Sequence, residues 1–349
     1  MRCNVDDLTY NFASRNLLTQ ERDPMALSPL IFNPYLRPQI WGGRQLLRWN
    51  KPLPSDGDYG ESWELSVHSH HVSKVDAGNG TELSLDDLIA QHGPELLGKS
   101  YGKQGFPLLV KLLDCHRLLS VQVHPTDELA AEIIGEESGK TEAWVVLSAD
   151  STAKIYAGLK AGVGPRELEH AITAGTVEQC LHGFSPTVGD CIFIPAGTVH
   201  AMGGGIVIAE FQQTSDATFR LFDWNRVGSD GKHRQLHIAE SMKCIDWSAG
   251  PVAPVNPKLI SGLPSDVHGE ALVDCPYFQL ERYTFRCEWT QFFSSWCVAM
   301  VIKGQVELET PLLPQRIKLQ AGQTVLIPAS LKKCHWFSDA ESTILIATA

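Results

Sequence analysis

The sequence is short of several features that mark large protein classes. Charged residues make up only 20% of its 349 positions, against 43% hydrophobic, which excludes a disordered chain. Its nine cysteines are an odd number and none has CxxC spacing. Reduced, mostly buried thiols are therefore expected, and a disulfide scaffold is not. No stretch approaches the ~20 apolar residues of a membrane span, and MRCNVDDLTYNFASRNLL holds no apolar core of signal-peptide type. A soluble, cytoplasmic protein without a membrane partner is the expectation. Basic residues are scarce as well: 29 Lys and Arg against 40 Asp and Glu leave a net charge of −11. That balance argues against nucleic acid as a partner, although a few focused cations can still hold an anion. The 13 histidines, which the formal charge ignores, shift attention from total charge to placement.

The length is enough for about two domains. Residues 1–27 are polar and mixed and read as an N-terminal extension. LSPLIFNPYLRPQIWGG, rich in proline and ending in two glycines, reads as loop and turn. ESWELSVHSHHVSKV (61–75) alternates in part and reads as strand. Short helices are expected near 84–98, with Ser84 as a possible N-cap and Gly98 as the stop, and near 127–138, with Asp127 as a possible N-cap. FPLLVKLLDCHRLLSVQVHP is ambiguous by periodicity, but VQV and the closing proline favour strands about a turn at 114–117. The first half of 165–184 looks helical, with proline near its start. Residues 248–259 carry three prolines, which places a domain boundary there. A region of 28–247 would then precede one of 255–349, in which short strands separated by Gly, Pro and polar turns suggest a jelly roll. An internal echo links the two. Gly189-Asp-Cys-Ile-Phe-Ile-Pro195-Ala-Gly-Thr-Val-His200 is followed by Gly322-Gln-Thr-Val-Leu-Ile-Pro328-Ala, where the glycine after the proline is missing and the histidine is displaced to His335.

The chemistry gathers at a few positions. Gln122 and His124, two apart on a strand, share a face. Glu142 opens a strand and His200 closes the IPAGTVHA turn. Two imidazoles, a carboxylate and an amide oxygen form an N/O donor set suited to Zn²⁺ or another first-row divalent ion. Either histidine alone is more simply a satisfied core residue; the four together are not. Lys111, Lys140 and Arg220 sit in apolar surroundings. They either snorkel and pair, Lys111 with Asp114 and Arg220 with Asp216 or Asp223, or they hold an anionic substrate. Glu210 and Asp216 are acid/base candidates. His68, His70 and His71 have metal-like spacing but no evident carboxylate beside them. GGG at 203–205 lacks the context of a phosphate loop.

In order along residues 28–240, PQIWGG (38–43), GESWE (60–64), FPLLVKLLD (106–114), LSVQVHP (119–125), GKTEAW (139–144), PAGTVHA (195–201) and SDATFRLFDW (215–224) resemble the type I mannose-6-phosphate isomerases, the shorter bacterial branch in particular. GDCIFIPAGTVH also fits the second cupin motif. The resemblance implies a mainly β fold of two cupin-like jelly-roll sandwiches with a small helical element, the C-terminal one degenerate. It implies one Zn²⁺ per subunit on Gln122, His124, Glu142 and His200. It places the essential arginine at Arg220, a lysine near the ligands at Lys140, and acids after the last ligand at Glu210 and Asp216. Trp41, Glu61 and Lys111 fall on cavity-lining positions, and Lys111 or Lys140 would help to bind phosphate. The implied reaction interconverts mannose 6-phosphate and fructose 6-phosphate through a cis-enediol(ate), in a monomer or homodimer. The competing expectations are another cupin metalloenzyme acting on a phosphorylated sugar and a sugar-binding cupin without catalysis.

Overall fold

The computed structural model describes residues 27–76, 81–102, 105–135, 138–227, 231–313 and 315–349; the extension expected at 1–27 lies, apart from Leu27, outside them. The fold is mainly β. A six-stranded antiparallel sheet runs in the order Tyr35–Gly43, Tyr59–Leu65, Leu108–Cys115, Ile206–Gln213, Glu142–Ala149, Cys191–Ile194. Facing it is a five-stranded sheet in the order Leu181–Phe184, Lys154–Leu159, His200–Gly203, Val121–Val123, Phe219–Phe222. Trp144, Ile155, Ile192, Met202 and Ile208 fill the space between them. Past residues 245–257, which hold no strand or helix, the pattern repeats. A second six-stranded sheet runs Lys258–Leu259, Val267–Asp274, Gln279–Phe285, Ser342–Thr348, Cys297–Lys303, Thr324–Ile327. A four-stranded sheet runs Glu288–Phe292, Lys333–Phe337, Gln305–Glu309, Ile317–Gln320 and closes the second barrel over Phe285, Trp289, Val306 and Trp336.

The two six-stranded sheets meet back to back. Val110, Leu112, Val145 and Ala209 belong to the same core as Leu280, Val298, Leu326 and Leu345, and Phe106 packs on Trp296 with ring centroids 4.7 Å apart. Burial on both faces explains why LLVKLLDC is a continuous apolar run and not an alternating one. Lys51, buried, joins the halves: its ammonium lies 2.6 Å from Glu64 Oε2 and 2.6 Å from the Gly322 carbonyl.

Local signals resolve with several differences. Ser84 caps the Leu85–Leu97 helix in a reciprocal capping box with Asp87. The helix expected from 127 is Asp127–Ile133, but its N-cap is Thr126, whose hydroxyl accepts from Leu129 N–H. Asp127 instead accepts from Gly139 N–H and from the Gln213 amide, pinning the loop before Glu142. The proline-rich segment expected as loop contains the strand Tyr35–Gly43. It is an edge strand with register shifts beside Pro38, the setting in which a residue without N–H is tolerated. The expected strand 61–75 is broken into Tyr59–Leu65 and three short pieces.

Candidate metal centre and active site

Three barrel strands and one turn build the centre. Glu142 opens its strand opposite Ile194 and Gln212. His200 opens another, directly opposite Gln122. Gly197, at φ +87°, makes the turn that leads into His200, and its N–H donates to the His124 carbonyl at 2.8 Å. A side chain there would need the left-handed backbone and would press on Asp246 Cβ at 3.0 Å. The glycine of the IPAGTVH motif is thus what brings the two histidines together.

His124, Glu142 and His200 place one donor atom each within 4.8 Å of one another, all buried. His124 Nε2 and His200 Nε2 each lie 3.5 Å from a different Glu142 oxygen. His124 Nδ1 donates to the Ala217 carbonyl and His200 Nδ1 to the Thr198 carbonyl, both at 2.8 Å. Those bonds fix the tautomer, leaving both Nε2 lone pairs turned inward, as metal-ligating histidines require. Burial, then the neighbouring His124, pushes the His200 pKa down to about 3. Burial and Lys140 lower that of His124. Both rings are therefore neutral and able to ligate. Against the cost of burial, Lys140 above all holds Glu142 well below the carboxylate range; its ammonium is 2.7 Å from Glu142 Oε2. Lys140 thus lies at hydrogen-bond distance from Oε2, while Oε1 is buried and accepts no hydrogen bond among the described residues. Two inward imidazole lone pairs beside this anionic carboxylate fit a divalent cation. The Gln122 amide stands beside this group, its nitrogen 3.2 Å from His200 Nε2.

A second layer of charge surrounds the centre. Lys111 Nζ lies 3.4 Å from Glu210, 3.8 Å from Asp216 and 3.9 Å from Glu61. The Asp114 partner expected for it instead accepts the Gln45 N–H. Glu210 also accepts the Trp144 indole N–H at 3.1 Å, and the Trp144 ring stands edge-on to His200. Burial, then Glu142 and Glu61, raises the Glu210 pKa against the pull of Lys140 and Lys111. Asp216 behaves oppositely: against its burial, Lys111, Lys140 and Arg37 draw it down to about 2. Arg220 pairs in register with Gln122 and donates to the Gln235 carbonyl at 2.8 Å; its buried Nε has no partner among the described residues. Neither expected carboxylate holds it, since Asp223 pairs with Arg226 and Arg234, and Asp216 with Arg37 and Lys111. Trp41 packs in the barrel interior.

Arg37, Gln39 and Trp63 join this layer without having been singled out from the sequence, and His70, noted there only within a histidine cluster, joins it as well. Arg37 lies 3.2 Å from Asp216 and 3.4 Å from Glu61, Gln39 donates to Glu61 at 2.5 Å, and the Trp63 indole donates to Glu61 at 2.7 Å. The alternation of Arg37 and Gln39 was the available signal, masked by Pro38 between them. The histidine cluster has a carboxylate neighbour after all: His70 Nδ1 is 3.3 Å from Asp216. His71 stacks on Tyr35 with centroids 4.2 Å apart. Among the described residues His68, His70 and His71 form no metal-binding group.

The depressed Asp216 pKa predicts a pH-dependent contribution to stability. Its drop from 3.8 to about 2 corresponds to about 2 kcal/mol, present above pH 4 and lost as pH falls through 2. Asp216→Asn should therefore lower urea-unfolding stability by about that much at pH 7, and the gap should narrow between about pH 4 and pH 2. A gap that stays constant across that window would show that the loss is not ionic.

A family model described as phosphomannose isomerase type I, catalytic domain, matches residues 30–150. Mannose-6-phosphate isomerase of Streptococcus mutans is 35% identical over 317 residues, covering 90% of this chain and 96% of that protein. Mannose-6-phosphate isomerase ManA of Bacillus subtilis is 36% identical over 259 residues, covering 74% and 80%. The crystal structure of the mannose 6-phosphate isomerase from Bacillus subtilis superposes with a TM-score of 0.82 at 28% identity, covering 92% of this chain and all of that one.

Proposed function

As the chain belongs to the type I mannose-6-phosphate isomerases of the cupin superfamily, we propose how its own residues divide the work of interconverting mannose 6-phosphate and fructose 6-phosphate. The carrying observation is the buried convergence of His124, Glu142 and His200. These three, with Gln122, would hold one divalent ion, which we assign as Zn²⁺ from the two-imidazole, carboxylate and amide set. When bound, the ion supplies Lewis-acid stabilisation of the sugar oxygens.

The isomerisation moves a proton between C2 and C1. Removing it from C2 turns the C–H electron pair into a C1=C2 bond and the carbonyl into an enediolate oxygen; the hydroxyl proton then passes from O2 to O1, and returning the carbon-bound proton at C1 as O2 becomes the carbonyl gives the ketose. Glu210 is our assignment for this shuttle. Burial above all raises its pKa, which makes it the better proton acceptor of the two acids, and Lys111 and Trp144 hold its two oxygens in place. Asp216, held ionised by its cations, anchors Arg37 and Lys111 instead. Arg37, the more exposed of these two cations, suits the phosphate, with Lys111 behind it. Arg220 faces the same side of its sheet as Gln122 and suits the developing enediolate charge. Lys140 holds Glu142 ionised and oriented. Enclosure among buried walls protects the enediolate from water.

The test is a substrate panel on the purified protein. Conversion of mannose 6-phosphate and fructose 6-phosphate in both directions is expected, with unphosphorylated mannose turned over far more slowly. Preference for another sugar phosphate would move the assignment to a different cupin isomerase.

A further inference from the structure

The second barrel keeps a cavity where the first keeps its chemistry. In the first, Lys111 pairs with Glu210 and Glu210 with Trp144. In the second, Glu281 pairs with Ile346 and Ile346 with Ala299. The frames superpose strand for strand: Glu142 lies opposite Ile194 just before Pro195, and Cys297 lies opposite Ile327 just before Pro328. Glu281 thus stands at the Lys111 position, Ile346 at Glu210 and Cys297 at Glu142. Gln291 pairs with Cys334 as Gln122 pairs with His200, so Cys334 holds the place of the second histidine. His335 falls one residue later, on the other face, where it bonds Thr290. The cation-binding set is gone, but a hollow of about 860 Å³ remains at this place, within the roughly 300–1,000 Å³ range of small-molecule sites.

Its lining has a definite chemistry. Tyr283, Trp289 and Phe292 supply aromatic faces, and Glu281 and Gln291 supply planar polar groups. Phe292 is 76% exposed at the rim. Trp289 is 94% buried, yet among the described residues its indole N–H has no acceptor, and the Ser295 hydroxyl in the same wall is also unpartnered there. Glu281 holds the Tyr283 hydroxyl at 2.7 Å and is the only charged side chain among the lining residues. With a carboxylate and no lysine or arginine, the hollow repels a phosphate dianion. Acceptor-rich polar groups set between ring faces match a molecule with many hydroxyl donors and apolar C–H faces.

We propose that this hollow binds an uncharged pyranose sugar, as a site separate from the first barrel and selective against phosphorylated sugars. The probes are methyl α-D-mannoside and methyl β-D-glucoside, titrated into the full chain while a saturating equilibrium mixture of mannose 6-phosphate and fructose 6-phosphate fills the first barrel. At least one glycoside should bind saturably under these conditions. Phe292→Ala and Glu281→Gln should each weaken it about tenfold, or about 1.4 kcal/mol. Phe292→Ala, at an exposed rim position, should leave isomerase turnover unchanged. The proposal fails if neither glycoside binds, if the sugar phosphates compete the glycoside away, or if both variants bind as the parent does. It also fails if tetramethylammonium occupies the site and the glycosides do not.

Discussion

Chelation should reduce turnover on the order of 10³-fold or more, and added Zn²⁺ should restore it; Glu142→Ala should be inactive with or without added metal. The ion's stabilisation of oxygen charge is worth several kcal/mol, which converts to that factor. No other described cluster can replace it, because His124, Glu142 and His200 are the one such group among the described residues. Glu142 also has a structural role. Its carboxylate is 2.7 Å from the Lys140 ammonium, and both side chains are 5% exposed or less. Removing one partner of a buried ion pair costs about 3–5 kcal/mol, because the other charge is left uncompensated. Glu142→Ala should therefore lose bound metal and unfold at markedly lower urea. Pairing it with Lys140→Met should recover much of the stability and none of the activity. Full turnover by rigorously metal-free protein would overturn the metal's role. A Glu142→Ala variant that retains stoichiometric metal would remove Glu142 from the ligand set.

Arg220→Ala should lower kcat about 10²–10³-fold, the usual consequence of deleting a charged group placed where negative charge develops, while metal content stays at its parent level. The two effects separate because Arg220 stands beside the ligand set and not within it. It shares a register position with Gln122, its Nη1 holds the Gln235 carbonyl, and its Nε is buried without a partner among the described residues. Burial and the nearby Arg234 lower its pKa, but a guanidinium remains charged at neutral pH. Unlike Lys140, it pairs with no carboxylate among the described residues, so its charge is available for substrate. Arg220→Lys should recover only part of the loss, since an ammonium cannot span the same two directions. Unchanged kcat in the alanine variant, or loss of metal with it, would exclude this role.

The buried group of His124, Glu142 and His200 was legible because its signals are local. His124 follows a short strand, Glu142 opens one, and a glycine turn leads into His200. The layer around it was not, because it depends on pairing between distant strands. Glu61 receives Gln39 and Arg37 only through the pairing of Tyr35–Gly43 with Tyr59–Leu65, and prolines disguised the first of those strands as loop. The His70–Asp216 contact spans 146 residues of sequence. Asp127 looked like a helix cap by composition, and the choice of Thr126 turned on where the chain needed a clamp for Gly139 and Gln213. The displaced histidine of the internal echo was visible; that Cys334 takes its place could be read only from register.

Lys51 and the back-to-back sheets have a consequence for durability. One ammonium is shared by a carboxylate from one half and a carbonyl from the other, and a single apolar core runs through both. Separating the halves would expose that core and strand a buried charge, so the two halves are expected to melt in one transition. Heat tolerance of the isomerase is therefore set as much by strands that never meet the sugar phosphate as by those that hold it. Substitutions that tighten the remote barrel should lengthen the enzyme's working life without touching its chemistry.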